Sequence, residues 1–383
     1  MKDIIPKGIA NPDLSIYSDN KPRWNTPDFR RAGYHNLHNI NRYGLSLRSD
    51  RILRLSKSIN SRIGDLPEVA RLTSAESFSA MVVVRDQTIL YEKYAADFAA
   101  DRPHAMMSVT KILMNLIIGE LSASGRIALQ QKVAAYLPDI GSGYAQATIQ
   151  QVLNMDLEND YNQDYRNPYA SVFVQEAVAG WRLPPIAGTN QTQHNFLRGI
   201  RSADVRNRTG YANFKSANTD VLAMIAEQVS EKPLRSWILE IVEASGIENA
   251  LYMSTDRDGF PMVDGGASMT ARDIARLGLL FVRRGVGVDG RRVGNSDFIE
   301  MTRKSPGPVM PPPKHWYRYS NQTMTNGGWI GHSGHGGQFV LADLDTGIVG
   351  VFLSVLENAD AFNPENSVSI TRMLENVATG FPD

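Results

Sequence analysis

The chain has 383 residues with 40 Lys and Arg against 40 Asp and Glu, so its formal net charge is zero; 42 % of it is hydrophobic and it contains no cysteine. That length supports one large composite domain or two, and the charge balance gives no electrostatic reason for nucleic acid or a membrane surface as partner. The missing cysteine excludes disulfides, a thiol nucleophile and a thiolate metal site. Seven histidines are present, and the close pairs His35–His38 and His332–His335 lack metal-ligand spacing, so no metal or other cofactor is expected. Met1-Lys-Asp-Ile-Ile-Pro6 lacks the apolar core of a secretory signal and no apolar run is long enough to span a membrane, so the expected location is the cytoplasm.

In chain order, residues 1–48 are polar and carry Pro6, Pro12, Pro22 and Pro27, which predicts an extended arm preceding a main domain over 49–383. Ile52, Leu53, Leu55 and Ile59 are spaced for a helix over Asp50–Asn60. Val- and Ile-rich Phe78–Arg85 and Thr88–Tyr94 around Asp86-Gln87 predict a β-hairpin. A helix starts at Ser108 and stops at Gly125, and residues from about 125 to 245 read as a mostly helical subdomain. Within it Thr148-Ile-Gln-Gln151 has capping-box form, and Thr219–Val229 is amphipathic. Thr270-Ala-Arg-Asp273 starts a helix through Val282. Lys304–Lys314, with five prolines, is a stiff loop. Gln338–Asp343 and Ile348–Leu353 flank Leu344–Gly347 as a second hairpin, and Asn363 caps a last helix with Pro364 at its first position. Strands at both ends with helices between them predict an α+β sandwich: one antiparallel sheet from both termini, flanked by helices, with the helical subdomain inserted.

Ser108-Val-Thr-Lys111 is the strongest candidate for chemistry. Three-residue spacing on a helix puts both side chains on one face. A lysine stripped of its proton by burial can take the serine proton and create a nucleophile. The pattern alone is cheap: Ser18-Asp-Asn-Lys21 repeats it, and an S-x-x-K is ordinarily a solvated pair. Ser108 differs because Ile112, Leu113, Met114, Leu116, Ile117, Ile118 and Leu121 leave the following helix almost no polar face. Desolvating an ammonium there costs several kcal/mol, as an order of magnitude.

From about Phe78 to the C-terminus the chain resembles the serine β-lactamase and penicillin-binding-protein superfamily. The resemblance is to the branch holding class C β-lactamases, esterases and 6-aminohexanoate-dimer hydrolases, and the last are nearest. It rests on Met107–Lys111, Asp160–Pro168, Ala179-Gly-Trp-Arg182, Ser216–Ala223 and Gly265–Gly278. It implies a β-lactamase/transpeptidase-like fold and a serine hydrolase that needs no cofactor. It also implies a small amide or ester as substrate and is compatible with a homodimer.

The resemblance further implies a tyrosine whose hydroxyl lies between serine and lysine. Aligning Gly210 and Ser216–Ala223 places Phe214 there, with Ser216 completing the motif, and phenylalanine relays no proton. A literal Tyr-Ala-Asn stands three residues earlier at Tyr211–Asn213. Two readings follow: Lys111 acts with a nearby hydroxyl such as Tyr211 or Tyr165, or the site binds ligands and turns them over poorly.

The third implied element is a Lys/His-x-Gly strand beside the serine, assigned to Gly334-His-Gly-Gly337. There His335 would bind a substrate carboxylate or position the lysine. The backbone N–H of Gly337 or Gln338, with that of Ser108, would hold the oxyanion. Asp160–Trp181 corresponds to a flap, from which Tyr165 and Trp181 are expected to touch substrate and Glu176 to receive a substrate ammonium group. A β-lactamase, a DD-peptidase, an acyltransferase and a catalytically weakened binding protein all share these residues.

Overall fold

The computed structural model describes residues 23–183, 191–304 and 307–380. The second S-x-x-K, Ser18–Lys21, lies outside these. Twelve strands occur among the described residues: β1 Gly44–Leu47, β2 Ser56–Lys57, β3 Phe78–Arg85, β4 Thr88–Tyr94, β5 His104–Ala105, β6 Leu251–Ser254, β7 Ala267–Met269, β8 Arg318–Ser320, β9 Thr323–Thr325, β10 Trp329–Gly334, β11 Gln338–Asp343 and β12 Ile348–Ser354. Eight form one sheet in the order β2-β4-β3-β12-β11-β10-β9-β8, so the two ends of the chain meet where β3 pairs with β12. Every pair is antiparallel except β2 with β4. This is the β-lactamase/transpeptidase-like α+β architecture.

Alternation along the strands explains why helices cover both faces. On β3, Ala80, Val82 and Val84 join one apolar core while Met81 and Val83 join the other. On β12, Val349 lies under Gly278 of the helix Ala271–Val282, and the next residue, Gly350, lies under Leu374 of the helix Pro364–Gly380. The helix Ile112–Ala123 is buried on nearly every side, as its unbroken apolar composition requires. The Thr148 capping box forms with both of its hydrogen bonds, and the Asn363 side chain accepts from Asn366 N at 3.0 Å.

Two expectations fail in ways that matter for the site. Asp50–Asn60 is not a helix. Its backbone lies along β4, with Ser56 N, Ser58 N and Asn60 N donating to Gln87, Ile89 and Leu90 carbonyls. Ile52 and Ile59 are exposed. The expected extended arm, in its described part, consists of the helices Pro27–His35 and Leu37–Ile40 followed by β1. Strand β1 pairs with β6 in a second antiparallel sheet, β1-β6-β7-β5. Trp24, Tyr34 and Leu37 are buried there, the Trp24 ring meeting those of Tyr34 and Trp181 at 5.8 Å each. This apolar contact, not the proline content, decides the conformation.

Candidate active site

Ser108 sits in a 3-10 turn, Met107–Lys111, that runs directly into the buried helix. Met107 has φ of +47°, a conformation few non-glycine residues adopt and one that structures retain where a side chain must be aimed. The turn is pinned on both sides: Met106 N donates to Ala267 O of β7, and β10 packs alongside. A Cβ on Gly334, at the end of β10, would lie 2.7 Å from Met106 O and 3.0 Å from Met107 Cβ. Glycine is what lets this strand reach the nucleophile turn.

The Lys111 side chain is fully buried and its Nζ lies 3.0 Å from Ser108 Oγ and 3.1 Å from Ser216 Oγ. Its third contact is the Asp264 carbonyl oxygen. Burial lowers the amine to a pKa of about 8, while Asp264 and Asp220 pull it back up. Both carboxyls are themselves raised by burial, Asp264 to about 6 and Asp220 well above its ordinary value. They form one buried cluster: Asp264 N donates to Asp220 Oδ1 at 3.1 Å, and Gln175 and Gln193 donate to Asp220 Oδ2. The three acceptors around Nζ suit the cationic amine, which has three donors. They suit the neutral amine equally, because its lone pair then accepts from the Ser108 hydroxyl while two N–H groups serve Ser216 and Asp264 O.

Phe214 lies where the alignment put it, its ring centroid 5.1 Å from Lys111 Nζ, and brings no hydroxyl. Tyr211 is not brought to the pair. It is 37 % exposed, its backbone is held in a turn by Asn207 and Thr209, and it does not line the cavity at Ser108. The hydroxyl beside Lys111 is that of Ser216, whose own N–H is held by Gln163 Oε1 at 2.9 Å.

The strand beside the serine is β10, and its own His-x-Gly is His332-Ser333-Gly334, not Gly334–Gly337. Neutral His332 donates from Nδ1 to Ser333 O and accepts at Nε2 from Tyr319, and burial, then Lys111, lowers its pKa to about 3. His335 is also fully engaged. Its Nε2 donates to Asp360 O and its Nδ1 accepts from the Tyr34 hydroxyl, both at 2.9 Å, while its ring stacks on Tyr165 at 4.0 Å. No ring N–H remains for a substrate carboxylate, and burial lowers the pKa to about 4. The Gly337 N–H is turned back onto Gly334 O at 3.2 Å, and Gln338 pairs with Gly334 across the hairpin. Among the described residues the backbone N–H groups of Ser108 and His335 make no backbone hydrogen bond, and both residues line the cavity.

That cavity holds about 610 Å³ and is lined by Ser108, Phe214, Tyr165, the Gly334–Gly337 hairpin and the Pro311–Lys314 segment. Two flap expectations are corrected. Glu176 is buried, ion-paired with Arg182 and not among the residues lining the cavity, so it is not placed to receive a substrate ammonium. Burial raises its pKa against the pull of Arg182. Trp181 is buried against Trp24 and donates from Nε1 to Ser254 Oγ at 2.8 Å, which makes it part of the packing behind the turn.

The profile of the beta-lactamase family matches residues 71–372. The chain belongs to the beta-lactamase family. Within it, the 6-aminohexanoate-dimer hydrolase of Paenarthrobacter ureafaciens is 35 % identical over 247 residues, which is 63 % of this chain and 60 % of that protein. A Bacillus anthracis protein proposed to be a 6-aminohexanoate-dimer hydrolase superposes with a TM-score of 0.80 at 20 % identity, covering 96 % of this chain and 98 % of the other. EstCE1, a hydrolase with promiscuous acyltransferase activity, gives 0.57 at 15 % identity over 82 % and 97 % of the two chains. These low-identity superpositions carry the fold alone.

For this beta-lactamase-family chain, sequence reasoning missed Asp264, Gln163, Tyr34 and Lys314. Each gains its place from contacts distant in sequence. Gln163 lies inside the singled-out Asp160–Pro168, Lys314 ends the proline-rich loop, and Asp264 stands immediately before Gly265–Gly278, but nothing in these segments alone marks the three side chains.

Proposed function

We propose that the chain is a serine hydrolase that cleaves small amides or esters through an acyl-enzyme on Ser108, with Lys111 as base. The observation that carries this is the fully buried Lys111 amine held 3.0 Å from the Ser108 hydroxyl. Ser108 Oγ attacks the carbonyl carbon and its proton passes to neutral Lys111. The oxyanion lies against the Ser108 and His335 amides, donors worth roughly 3 kcal/mol each in the transition state. As the C–N or C–O bond breaks, Lys111 returns the proton to the leaving amine or alcohol. Water then attacks the acyl-enzyme, giving its proton to Lys111, and Ser108 leaves with a proton restored to its oxygen. Ser216 Oγ steadies the amine through each transfer. The relative in Paenarthrobacter ureafaciens supports a linear amide, an ω-amino-acid dimer, as the substrate to try first.

Treatment with a fluorophosphonate followed by intact-mass measurement tests the reading. Wild type should gain one phosphonyl group and Ser108→Ala none; equal labelling of both rules out Ser108 as nucleophile. Phe214 beside Lys111 favours a second reading, a site that binds and turns over poorly. No burst and no turnover with any 4-nitrophenyl acyl ester would select it.

A further inference from the structure

The cavity that Ser108 opens into also contains a cation that has no counter-ion among the described residues. Lys314, which follows Pro311-Pro312-Pro313, is only 8 % exposed and lines the cavity wall. Its Nζ lies 5.2 Å from the centroid of the Phe362 ring, and among the described residues it has no carboxylate or hydrogen-bond acceptor. Neither carboxylate lining the same cavity forms an ion pair with Lys314. Asp164 is paired with Arg166 at 3.0 Å, and Asp360 accepts from Asn358 Nδ2 at 2.8 Å. Burial alone lowers Lys314 to a pKa of about 8, so it is mostly charged at neutral pH. An ammonium in an apolar wall is costly to keep unless an anion arrives, and one aromatic face offsets that only in part.

A second feature points the same way. The 17-residue helix Pro364–Gly380 begins in this wall, with Pro364 and Ser367 lining the cavity. Pro364 has no N–H and the Asn366 and Ser367 N–H groups are held by Asn363, so the helix contributes its dipole to this wall and not a set of free donors. Its acidic first-turn residue, Glu365, is exposed and does not line the cavity.

We infer that Lys314 anchors the anionic end of the ligand, a carboxylate joined through an aliphatic segment to the scissile amide or ester. The scissile bond rests on the hydrolase reading of Ser108; the anion site does not. One lysine, with the Arg166 fork of the same cavity already paired to Asp164, suits a single-charged carboxylate better than a phosphate dianion, which draws several donors. Met310, Met324, Leu356 and Phe362 supply the apolar lining an aliphatic segment needs.

Calorimetric binding to the non-turning Ser108→Ala protein tests this, using two matched pairs. In 4-nitrophenyl hydrogen adipate against 4-nitrophenyl hexanoate the carboxylate is on the acyl half. In 6-acetoxyhexanoate against hexyl acetate it is on the leaving half. At pH 7 the carboxylate member of at least one pair should bind at least 10-fold tighter than its neutral partner. Adding Lys314→Gln should bring that ratio to within about 2-fold, and Lys314→Arg should keep most of it. No preference in either pair, or a preference untouched by Lys314→Gln, overturns the inference. Fluorophosphonate labelling of wild type separates the two claims. Labelled Ser108 without a carboxylate preference defeats the anion site alone, and a carboxylate preference with unlabelled Ser108 defeats the hydrolase alone.

Discussion

The Tyr34 hydroxyl donates a 2.9 Å hydrogen bond to His335 Nδ1, which ties the N-terminal segment to the wall of the active-site cavity. A Cβ on Gly336 would come within 2.4 Å of the same tyrosine ring, and the neighbouring Arg30 guanidinium donates to the carbonyls of Leu356 and Asn358. Residues 23–48 therefore form part of the site's support. Tyr34→Phe leaves His335 Nδ1 unpaired and should cost about 1–3 kcal/mol of stability. It should also raise KM more than it lowers kcat, because Tyr165 stacks on the loosened ring. Urea denaturation and steady-state kinetics read the two effects, and an unchanged KM would remove His335 from substrate positioning.

Ser216 and Tyr211 compete for the role of the missing hydroxyl. Ser216→Ala should lower kcat roughly 100-fold, the scale of a lost proton-transfer partner, and Ser216→Thr should recover much of it. Tyr211→Phe should leave the rate unchanged. Kinetics with an activated ester decides between them, and the opposite pattern would return the role to Tyr211.

Glycine at 334 is required by contact. Gly334→Ala puts a methyl group 2.7 Å from Met106 O and 2.8 Å from Gln338 Oε1. Overpacking of this kind costs about 1–3 kcal/mol, and here it pushes on the nucleophile turn. Fluorophosphonate labelling of Ser108 should therefore fall far more than the melting temperature suggests, and equal loss in both would mean the turn is not being aimed by β10.

The pH profile follows from which form of Lys111 acts. The base is the neutral amine, so kcat/KM should rise with pH through one ionisation near the amine's lowered pKa of about 8. The titratable groups facing it are Asp264, Asp220 and His332. His332 titrates near 3 and stays neutral across this range. Removing the negative charge of Asp264 removes an influence that raises the amine, so Asp264→Asn should move the rising limb to lower pH by roughly one unit. A shift to higher pH would show that the carboxyl does not face the amine.

What the sequence made legible was local. Ser108 and Lys111 are three residues apart on one turn, the Thr148 capping box closes within four residues, and both hairpins turn within a few. What stayed illegible depended on distant partners. Leu53 is buried but Ile52 and Ile59 are exposed, because residues 56–60 hydrogen-bond along β4 and not within their own segment as a helix would. Lys314 reads as a lysine after three prolines until residues 360–367 complete the wall around it. Tyr211-Ala-Asn213 matches a motif in letters, yet the turn that carries it faces solvent. Glu176 reads as a free carboxylate in the sequence, and its partner is Arg182, six residues on. Burial alone predicts a neutral Lys111. The two buried carboxyls that pull its pKa back up lie more than 100 residues away, and they leave it mostly cationic at neutral pH.

The most direct measurement is an NMR titration of the lysine side chains, with the Lys111 ε-carbon assigned by comparison with Lys111→Arg. A midpoint near 8, coinciding with the midpoint of the pH-dependent rate of Ser108 phosphonylation, is the expected result. A midpoint near the ordinary value of 10.5, or a phosphonylation rate that ignores the lysine's titration, would contradict the pairing of this amine with this serine.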